Sequence, residues 1–513
     1  MSQFPYIRTP YFHVSRSDDL SGKNQVIYRL LEILPGFLAW ATLIGTIVLS
    51  YFAPVVAAIF IIVFDLWWLC KTIYLSIHLR HNWKRMRFNI ACDWQERTKH
   101  LKYGHLYQMV ILPFYKEGDD VIIHSIKALI ATKWNKKKMI VVLAGEARAG
   151  EESYERAKKI SEKYLSTFGH FIVTKHPANV LGEMPGKGSN ITFAAEEVRR
   201  LVLDRNHIAY EDVIVSAFDI DTVASPQYFL CLTWYFLNEP DPYKVSFQPV
   251  PLYNNNIWDA PMISRVVATS STFWQMVQQE RPEKLATFSS HSVSFKALYE
   301  IGYWQKNMVS EDSRIFWNMF LAHDGDYKVV PVAYPVSMDA NLAPTFLETM
   351  RNVYKQHRRW AWGVENVPYI LFGFIKNPRI PLWKKLSMSF TQIEGFWSLA
   401  TNPIIIFLLG WLPLALGGQQ FNSSVLAYNL PIITRTLMMI CMLGLVTSAI
   451  ISISLLPTRP KSKSKLDSVF MIVQWILIPI TITVFGAIPG LDAQTRLMFK
   501  RYLGFWVTPK HRK

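Results

Sequence analysis

The sequence predicts an α/β domain, with a mainly parallel sheet flanked by helices, joined to a region of several membrane-spanning helices. Short apolar runs alternate with helical segments between residues 100 and 365, and long apolar stretches lie on both sides of that region. Of the 513 residues, 50% are hydrophobic, and the mean hydropathy is positive. Such values are unusual for a soluble protein and are expected when soluble and membrane parts share one chain.

The α/β domain is predicted from the order of its elements. Strands are predicted at 109–114, 139–143, 171–173 and 213–218, and helices at 121–132, 153–168 and 190–203. Strands that alternate with helices in this way form parallel sheets, in which ligands bind at the carboxyl ends of the strands. We therefore expect the functional residues at those ends.

The membrane region is predicted from apolar stretches of about 20 residues or more, the length that crosses a bilayer. The stretch at 31–79 is broken by Pro54 and predicts two helices, at 33–51 and 54–77; three more are predicted at 393–416, 430–455 and 468–489. Aromatic and basic residues alternate over 367–386, which indicates an interfacial segment. The predicted division is a cytoplasmic segment 1–30, two transmembrane helices in 31–79, a cytoplasmic α/β domain 80–365, interfacial helices 366–391, about three transmembrane helices in 392–490, and a basic tail 491–513.

Basic residues set the predicted orientation, because Lys and Arg are enriched in cytoplasmic loops. Clusters at 80–87 and 459–465 are predicted to be cytoplasmic, whereas 417–429, which contains neither Lys nor Arg, is predicted to be external. The tail gives conflicting indications, since counting five crossings puts it outside and its charge puts it inside. We expect an integral protein of the plasma (inner) membrane whose α/β domain is cytoplasmic.

The net charge of +17, from 55 Lys and Arg against 38 Asp and Glu, raises the question of a nucleic-acid partner. No motif of nucleic-acid-binding proteins accompanies this charge, and much of it flanks the apolar segments or lies in the two tails. We therefore assign it to anionic lipid headgroups and an anionic substrate, and expect no nucleic-acid partner. The four cysteines are scattered without the spacing of a zinc site or a disulfide framework.

Asp219 and Asp221 follow directly on the predicted strand at 213–218. Carboxylates two residues apart on a strand point to the same side, so both could face one divalent cation at the carboxyl end of that strand. The alternative is a solvated turn after a strand.

Two further patterns follow along the chain. Glu311 and Asp312 come directly after Ser310, so a simple helix start, with Ser310 as the cap and acidic residues in the first turn, is one interpretation. Residues 356–360 read Gln-His-Arg-Arg-Trp, in which Gln356 and Arg359 recur at helical spacing with Trp360 beside them. A basic and aromatic helix on the membrane surface is the alternative for this second pattern.

With the D-x-D triplet at 219–221, the E-D pair at 311–312 and Q-x-x-R-W at 356–360 in this order, the chain resembles the membrane-integrated members of glycosyltransferase family 2. These include cellulose, hyaluronan and poly-N-acetylglucosamine synthases. The similarity covers about residues 105–365 and includes 113–117, which is similar to the family's P-x-Y-N-E turn but has Lys116 where Asn is usual. The resemblance implies a GT-A fold and an inverting transfer from a nucleoside-diphosphate sugar, with a UDP-sugar favoured.

For the donor, the resemblance implies a set of binding residues: Asp219, Lys187, Glu146, Gln356 and Arg359. Lys187 opens a K-x-x-N element before a helix, for which a capped glycine turn is the alternative. Glu146 stands where the family usually has aspartates, which leaves the nucleotide open. Asp221, together with Asp219, would hold Mg²⁺ or Mn²⁺ at the diphosphate.

For the acceptor, the resemblance implies that Asp312 deprotonates the attacking hydroxyl and that Trp360 stacks under the acceptor sugar. Glu311 and His291 are predicted as further acceptor contacts, although His291 lies where the chain departs from the family's F-F-C-G-S segment and is equally compatible with a structural role. The predicted function is the extension of an envelope polysaccharide. The alternatives are transfer of one sugar to a lipid, and a non-catalytic sensor of nucleotide sugars.

Overall fold

An eight-stranded mixed sheet forms the centre of the α/β domain. The computed structural model describes residues 11–512, with the exception of the side chains at 445 and 446, so parts of the predicted segments 1–30 and 491–513 lie outside the described residues. The strands are β1 (Tyr107–Pro113), β2 (Met139–Glu146), β3 (His170–His176), β4 (Val213–Ala217), β5 (Val223–Ala224), β6 (Val245–Tyr253), β7 (Ser292–Ser294) and β8 (Lys328–Met338). Their order across the sheet is β3-β2-β1-β4-β7-β6-β8-β5.

The predicted fold class is confirmed. The four predicted strands correspond to β1–β4, and β3, β2, β1 and β4 pair in parallel. The other half of the sheet is mixed, because β7 pairs antiparallel with both β4 and β6. Strand β2 is buried along its whole length, as expected for a parallel strand with helices on both faces.

The helices of the described chain are, in order, α1 (Gly22–Phe52), α2 (Pro54–Ala91), α3 (Trp94–Thr98), α4 (Asp119–Ala131), α5 (Glu151–Tyr164), α6 (Lys187–Val198), α7 (Tyr228–Asn238), α8 (Met262–Gln278), α9 (Phe295–Glu300), α10 (Glu311–Ala322), α11 (Phe346–Ala361), α12 (Asn366–Lys376), α13 (Leu382–Ile404), α14 (Leu412–Leu416), α15 (Gly418–Asn422), α16 (Val425–Ser454), α17 (Lys465–Val473), α18 (Ile478–Ile482) and α19 (Ile488–Met498). Short π-helical segments follow α6, α13 and α18.

Two apolar layers cover the two faces of the sheet. Met109 and Ile111 of β1 pack with residues of α6, α9 and α10, whereas Val110 and Leu112 pack with residues of α4, α5 and α7. This alternation is what a strand requires, because successive side chains point to opposite faces. The layers hold the carboxyl ends of the strands and the start of α10 in fixed positions.

Five segments are long and apolar enough to cross a membrane: α1, α2, Leu382–Leu409, α16 and Lys465–Met498. One end of this bundle lies on the α/β domain, where Asn89 of α2 donates to a β8 carbonyl at 3.0 Å and Lys384 of α13 donates to the Gly325 carbonyl at 3.1 Å. At the opposite end Gly417 packs closely against Pro54. The first four segments therefore run between the α/β domain and the far end.

The fifth segment, Lys465–Met498, does not run to the far end. Just before it, Lys463 forms an ion pair with Asp259 of the α/β domain at 3.0 Å. Near its end, Asp492 forms an ion pair with Arg358 of α11 at 3.0 Å. Because both ends contact the α/β domain, both lie on the side of the bundle that this domain occupies, and the chain that follows stays with that domain.

We expect four crossings, with the basic loop and the tail on the side of the α/β domain. In sealed vesicles, Ser462→Cys and His511→Cys should react with an impermeant maleimide from the same side as Glu152→Cys, a marker in the α/β domain. Ser423→Cys in the far loop should react only from the opposite side. The test uses a background in which Cys70 is Ser, and joint labelling of His511→Cys with Ser423→Cys would contradict the four-crossing arrangement.

Candidate functional site

A cavity of about 820 Å³ lies at the carboxyl ends of the parallel strands and extends between the apolar helices. Nine predicted site residues line it: Glu146, Lys187, Asp219, Asp221, Glu311, Asp312, Gln356, Arg359 and Trp360. Lys71 of α2 and Glu394 of α13, which form an ion pair at 2.6 Å, line the part between the helices. The sequence motifs, far apart in the chain, thus meet in one cavity that reaches into the apolar bundle.

The ammonium group of Lys187 joins two of the predicted carboxylates. Its Nζ lies 2.7 Å from Asp219 Oδ1 and 2.9 Å from each carboxylate oxygen of Asp312. Enclosure in the cavity opposes ionisation of Lys187 and of Asp219, but the opposite charges nearby outweigh it, so the pKa of Lys187 is raised and that of Asp219 is held well below its ordinary value. Ser289 Oγ donates to the other Asp219 oxygen at 2.9 Å.

Asp312 owes its position to the start of α10. The backbone N–H groups of Val309 and Ser310 donate to Glu365, at 3.3 and 2.9 Å, and the Ser310 hydroxyl makes no capping bond. The fully buried Arg314, one turn along α10, donates to Gln305 at 2.9 Å. The helix start is therefore fixed by buried polar contacts, and Asp312 is left to face Lys187.

Glu311 is the buried neighbour of Asp312. It is 2% exposed, and its Oε2 has no hydrogen-bond partner among the described residues. Burial, with the adjacent negative charge of Asp312, raises the pKa of Glu311 to about 8. Its carboxyl group is therefore mostly protonated at neutral pH and can donate as well as accept a hydrogen bond.

The tail enters the cavity, which the sequence analysis did not anticipate. Lys510 Nζ lies 2.7 Å from Asp221 Oδ2, and Arg512 forms two hydrogen bonds, of 2.8 and 3.0 Å, with Asp339 at the end of β8. Burial, with the nearby Asp339 and Asp219 carboxylates, raises the pKa of Asp221, although Lys510 partly offsets this. The basic tail is the signal for this contact, since a cluster of carboxylates attracts it.

An aromatic residue of the tail, Phe505, also lines the cavity. The ring of Phe505 lies 5.1 Å from the guanidinium carbon of Arg359 and packs on Gly186, where a Cβ would stand 2.6 Å from the ring. Gly186 is thus required by close approach at the start of α6. The Nε atom of Arg359 is buried and has no partner among the described residues.

Helix α11 presents the Q-x-x-R-W residues to the cavity. Trp360 contacts Tyr253 and Phe288, with ring centroids 5.7 and 5.8 Å apart. Gln356 is nearly buried beside it. The indole therefore forms an aromatic wall of the cavity.

Glu146 and His291 are already engaged by neighbouring side chains. Glu146 forms an ion pair with Arg148, whose Nη2 lies 3.0 Å from Oε1. His291 is fully buried: Trp304 Nε1 donates to its Nε2 at 3.0 Å, so its Nδ1 carries the proton and donates to the Phe288 carbonyl at 2.9 Å. In this state His291 has no free ring nitrogen for an acceptor.

No three His, Cys, Asp or Glu side chains converge as ligands of a metal ion within residues 11–512. Asp221 nevertheless has features of a cation ligand. Its Oδ1 is fully buried and accepts no hydrogen bond from the described residues, and its Oδ2 holds the ammonium of Lys510. A carboxylate in this state is suited to a cation.

Comparison with known proteins gives one family match. The model described as glycosyl transferase family group 2 matches residues 214–483, more than half of the chain. No curated protein sequence matches.

Several solved structures are similar at low identity. The mannosyltransferase PcManGT from Pyrobaculum calidifontis, in complex with GDP-Man and Mn²⁺, is 13% identical with a TM-score of 0.43, covering 76% of this chain and 98% of its own. TarS 1-349 of S. aureus is 10% identical with a TM-score of 0.36, covering 67% of this chain and 91% of its own. GalNAc-T7 with UDP, GalNAc and Mn²⁺ is 10% identical with a TM-score of 0.32, covering 60% of this chain and 57% of its own.

The buried Glu311 predicts a pH-dependent stability. The pKa of Glu311 is about 8 in the folded protein and about 4.3 in an unfolded chain, so the folded protein binds this proton more tightly. The free energy of unfolding therefore decreases as the pH rises through this interval. Glu311→Gln removes the titration, so its melting temperature relative to the parent should rise between pH 5 and pH 8. Glu348→Gln, at an exposed glutamate in the first turn of α11, is the control, and equal pH profiles for parent and Glu311→Gln would contradict the raised pKa.

Proposed function

Because the chain belongs to glycosyl transferase family group 2, and so is a glycosyltransferase with a GT-A-like fold, we propose that it adds sugar from a nucleoside-diphosphate donor to a growing polysaccharide, with inversion at the anomeric carbon. One observation carries this proposal. The predicted donor residues, the predicted base Asp312 and the aromatic wall at Trp360 line a single cavity that continues between the apolar helices. Such a cavity can hold a donor at one end and a long acceptor at the other.

The donor diphosphate would be bound by cationic groups of the cavity. Lys187 begins α6, so its ammonium group and the positive end of the helix act together on an anion. Arg359 has a buried, unpaired Nε and faces the same cavity, where its guanidinium can bind phosphate oxygens. Asp219, Gln356 and the Glu146–Arg148 pair are left to orient the ribose and base, and a UDP-sugar is the favoured donor.

A divalent cation, Mg²⁺ or Mn²⁺, fits Asp221, whose buried Oδ1 is unpaired and whose Oδ2 already holds an ammonium group. When bound, such a cation stabilises the charge that develops on the departing diphosphate. Lys510 and the cation would compete for the same carboxylate. The tail would therefore leave Asp221 when the metal and the donor bind.

Asp312 would act as the single base of the reaction. A carboxylate oxygen of Asp312 takes the proton of the acceptor hydroxyl while the hydroxyl oxygen attacks the anomeric carbon and the bond to the diphosphate breaks. Lys187 Nζ donates to both carboxylate oxygens of Asp312 at 2.9 Å, and so fixes the orientation of this carboxylate in the cavity. One base and one displacement give inversion.

The acceptor would lie on Trp360 and continue toward the apolar helices. The protonated carboxyl group of Glu311 could donate a hydrogen bond to a sugar oxygen, while His291 would act indirectly, by holding the Phe288 segment against Trp360. The polar pair Lys71–Glu394, far along the cavity, favours a hydroxyl-rich acceptor over an entirely apolar one. A lipid acceptor is the second candidate, because the helices around the cavity are apolar and could admit a single lipid chain.

The proposed arrangement in the cell follows from charge. The clusters at 80–87 and 459–465 favour a cytoplasmic α/β domain at 80–365, where nucleotide sugars are available, with the helices at 31–79 and 392–490 in the plasma (inner) membrane. The basic flanks would contact anionic lipid headgroups.

The proposed function is tested by turnover of UDP- and GDP-sugars with Mg²⁺ or Mn²⁺, followed by mass analysis of the product. We expect a saccharide that lengthens with time, and no product after chelation of the metal. Asp312→Asn keeps the shape but removes the base, so transfer should fall by about 10²–10⁴-fold while donor binding persists.

The outcomes of that experiment separate the candidates. A product with one sugar that partitions into organic solvent would indicate the lipid acceptor instead. Binding of a nucleotide sugar without any turnover by the parent protein would overturn the transferase proposal and favour a sensor. Transfer by Asp312→Asn at the parental rate would contradict the role of this residue.

Trp360 and Arg359 are expected to act on different substrates. Trp360→Ala should leave donor affinity nearly unchanged and strongly reduce the rate of acceptor-dependent transfer, because an indole stacks on a sugar ring and not on a diphosphate. Arg359→Ala should weaken donor binding as well. Donor titration and turnover are measured for both variants and for Trp383→Ala, an exposed tryptophan on α13 that does not line the cavity.

Normal transfer by Trp360→Ala would contradict its contact with the acceptor. Equal effects of Trp360→Ala and Trp383→Ala would indicate a general role of tryptophan at the membrane surface.

A further inference from the structure

The two carboxylates of the D-x-D triplet have different surroundings. Asp219 has both oxygens engaged within the protein, Oδ1 by Lys187 at 2.7 Å and Oδ2 by Ser289 at 2.9 Å. Asp221 has one buried oxygen without a partner among the described residues and one that holds Lys510. Only Asp221 is therefore available to a cation in this arrangement.

Asp339, directly after β8, is the second carboxylate that the tail neutralises, and among the described residues its Oδ2 is held by Arg512 alone, at 3.0 Å. Its backbone N–H donates to Asp221 Oδ2 at 2.9 Å, which brings the two residues into direct contact. Asn255 Nδ2 donates to Asp339 Oδ1 at 2.9 Å and to the Asp221 carbonyl at 3.0 Å, so one amide holds both residues in place. The Asp339 side chain is 1% exposed, and a carboxylate so buried requires a cationic partner.

The tail supplies that partner in the present structure. Lys510 neutralises Asp221 and Arg512 neutralises Asp339, at 2.7 and 2.8 Å. Two single positive charges thus balance two buried carboxylates. One divalent cation carries the same total charge, and Mg²⁺ is commonly held by one or two carboxylates together with substrate phosphates.

We propose that Asp221 and Asp339, rather than Asp219 and Asp221, are the protein ligands of the divalent cation, and that Lys510 and Arg512 occupy this site until the cation displaces them. The inference rests on the proposed function in so far as a diphosphate completes the coordination. Asp219 then holds the ammonium group of Lys187 in position, and Lys187 in turn positions Asp312. In this division the first aspartate of the triplet is paired with Lys187 of α6, whereas the second is paired with Lys510 of the tail, which the cation would displace.

The test measures Mn²⁺ binding to the full-length protein in detergent without nucleotide, from the electron paramagnetic resonance signal of free Mn²⁺. Lys510→Met removes the competing ammonium group at nearly constant length, so its affinity for Mn²⁺ should exceed that of the parent. In the Lys510→Met background, Asp339→Asn should weaken Mn²⁺ binding by about tenfold or more. Mutation of a residue that only contacts a metal ligand typically weakens binding by at least about tenfold, and loss of a ligand should do no less. Asp219→Asn removes a nearby negative charge but no ligand of the proposed site, so it should weaken Mn²⁺ binding clearly less than Asp339→Asn does.

Unchanged affinity in Asp339→Asn, or an equally large loss in Asp219→Asn, would overturn the inference. Thermal unfolding of each variant checks the fold, and Asp339→Glu, which restores a carboxylate, should recover part of the lost affinity. If Lys510→Met does not fold, the same pair of substitutions is compared in Arg512→Gln, with the same expected order.

Turnover of nucleotide sugar by the parent protein is measured in parallel, so the two proposals fail separately. Turnover with the wrong order of Mn²⁺ affinities would overturn the ligand assignment alone. The expected Mn²⁺ affinities without any turnover would overturn the proposed function alone.

Discussion

The site depends on one buried ammonium group. Lys187 Nζ is shared by Asp219, at the end of a parallel strand, and Asp312, at the start of a helix. Removing Lys187 would leave two neighbouring carboxylates without the cation that they share, and breaking a buried ion pair in this way costs about 3–5 kcal/mol in other proteins. The contact therefore fixes the relative positions of β4, α6 and α10, and it couples the proposed donor site to the proposed base.

The surrounding fold keeps these three elements within reach of one another. The sheet places Asp219 through the β1–β4 pairing, and Gly188 lets the start of α6 approach the Gln305 carbonyl, where a Cβ would stand 2.7 Å away. Arg314 anchors α10 and donates to the Val14 carbonyl at 3.0 Å, so the segment before α1 also braces this helix. The site is thus held partly by chain that leads into the apolar bundle, and a shift of that bundle would be transmitted to Asp312.

Features that depend on local sequence patterns, such as the buried strands and the short motifs, can be predicted from the sequence. The strands β1, β2 and β4 are recognisable as apolar runs because they are buried on both faces, and the triplet at 219–221 follows one of them. The order of the motifs predicts Asp312 as the base, and a simple helix start is the alternative that the local sequence also allows. In the structure Asp312 does lie in the first turn of α10, but Ser310 makes no capping bond and Asp312 contacts Lys187, so its role as the base stays a prediction.

Other features depend on contacts between distant parts of the chain, which no local pattern reveals. In the sequence Asp339 is an aspartate after a strand, with no motif around it. Its contacts with Asn255 and Arg512 are visible only in the structure. The sequence places Lys510 in a basic tail, and its contact with Asp221 joins residues that are 289 positions apart. The segment Lys465–Met498 has the length and hydropathy of a crossing, and only its ion pairs at both ends indicate a return to the same side.

The central claim is a single displacement with Asp312 as the one base, and the stereochemistry of the product tests it most directly. The nucleotide sugar that the protein turns over has a known anomeric configuration, and proton NMR of the first-formed product reports the configuration of the new bond. The account predicts the opposite configuration, because one attack on the anomeric carbon inverts it. A product with the donor's configuration would contradict the account, since retention requires a second displacement or another mechanism.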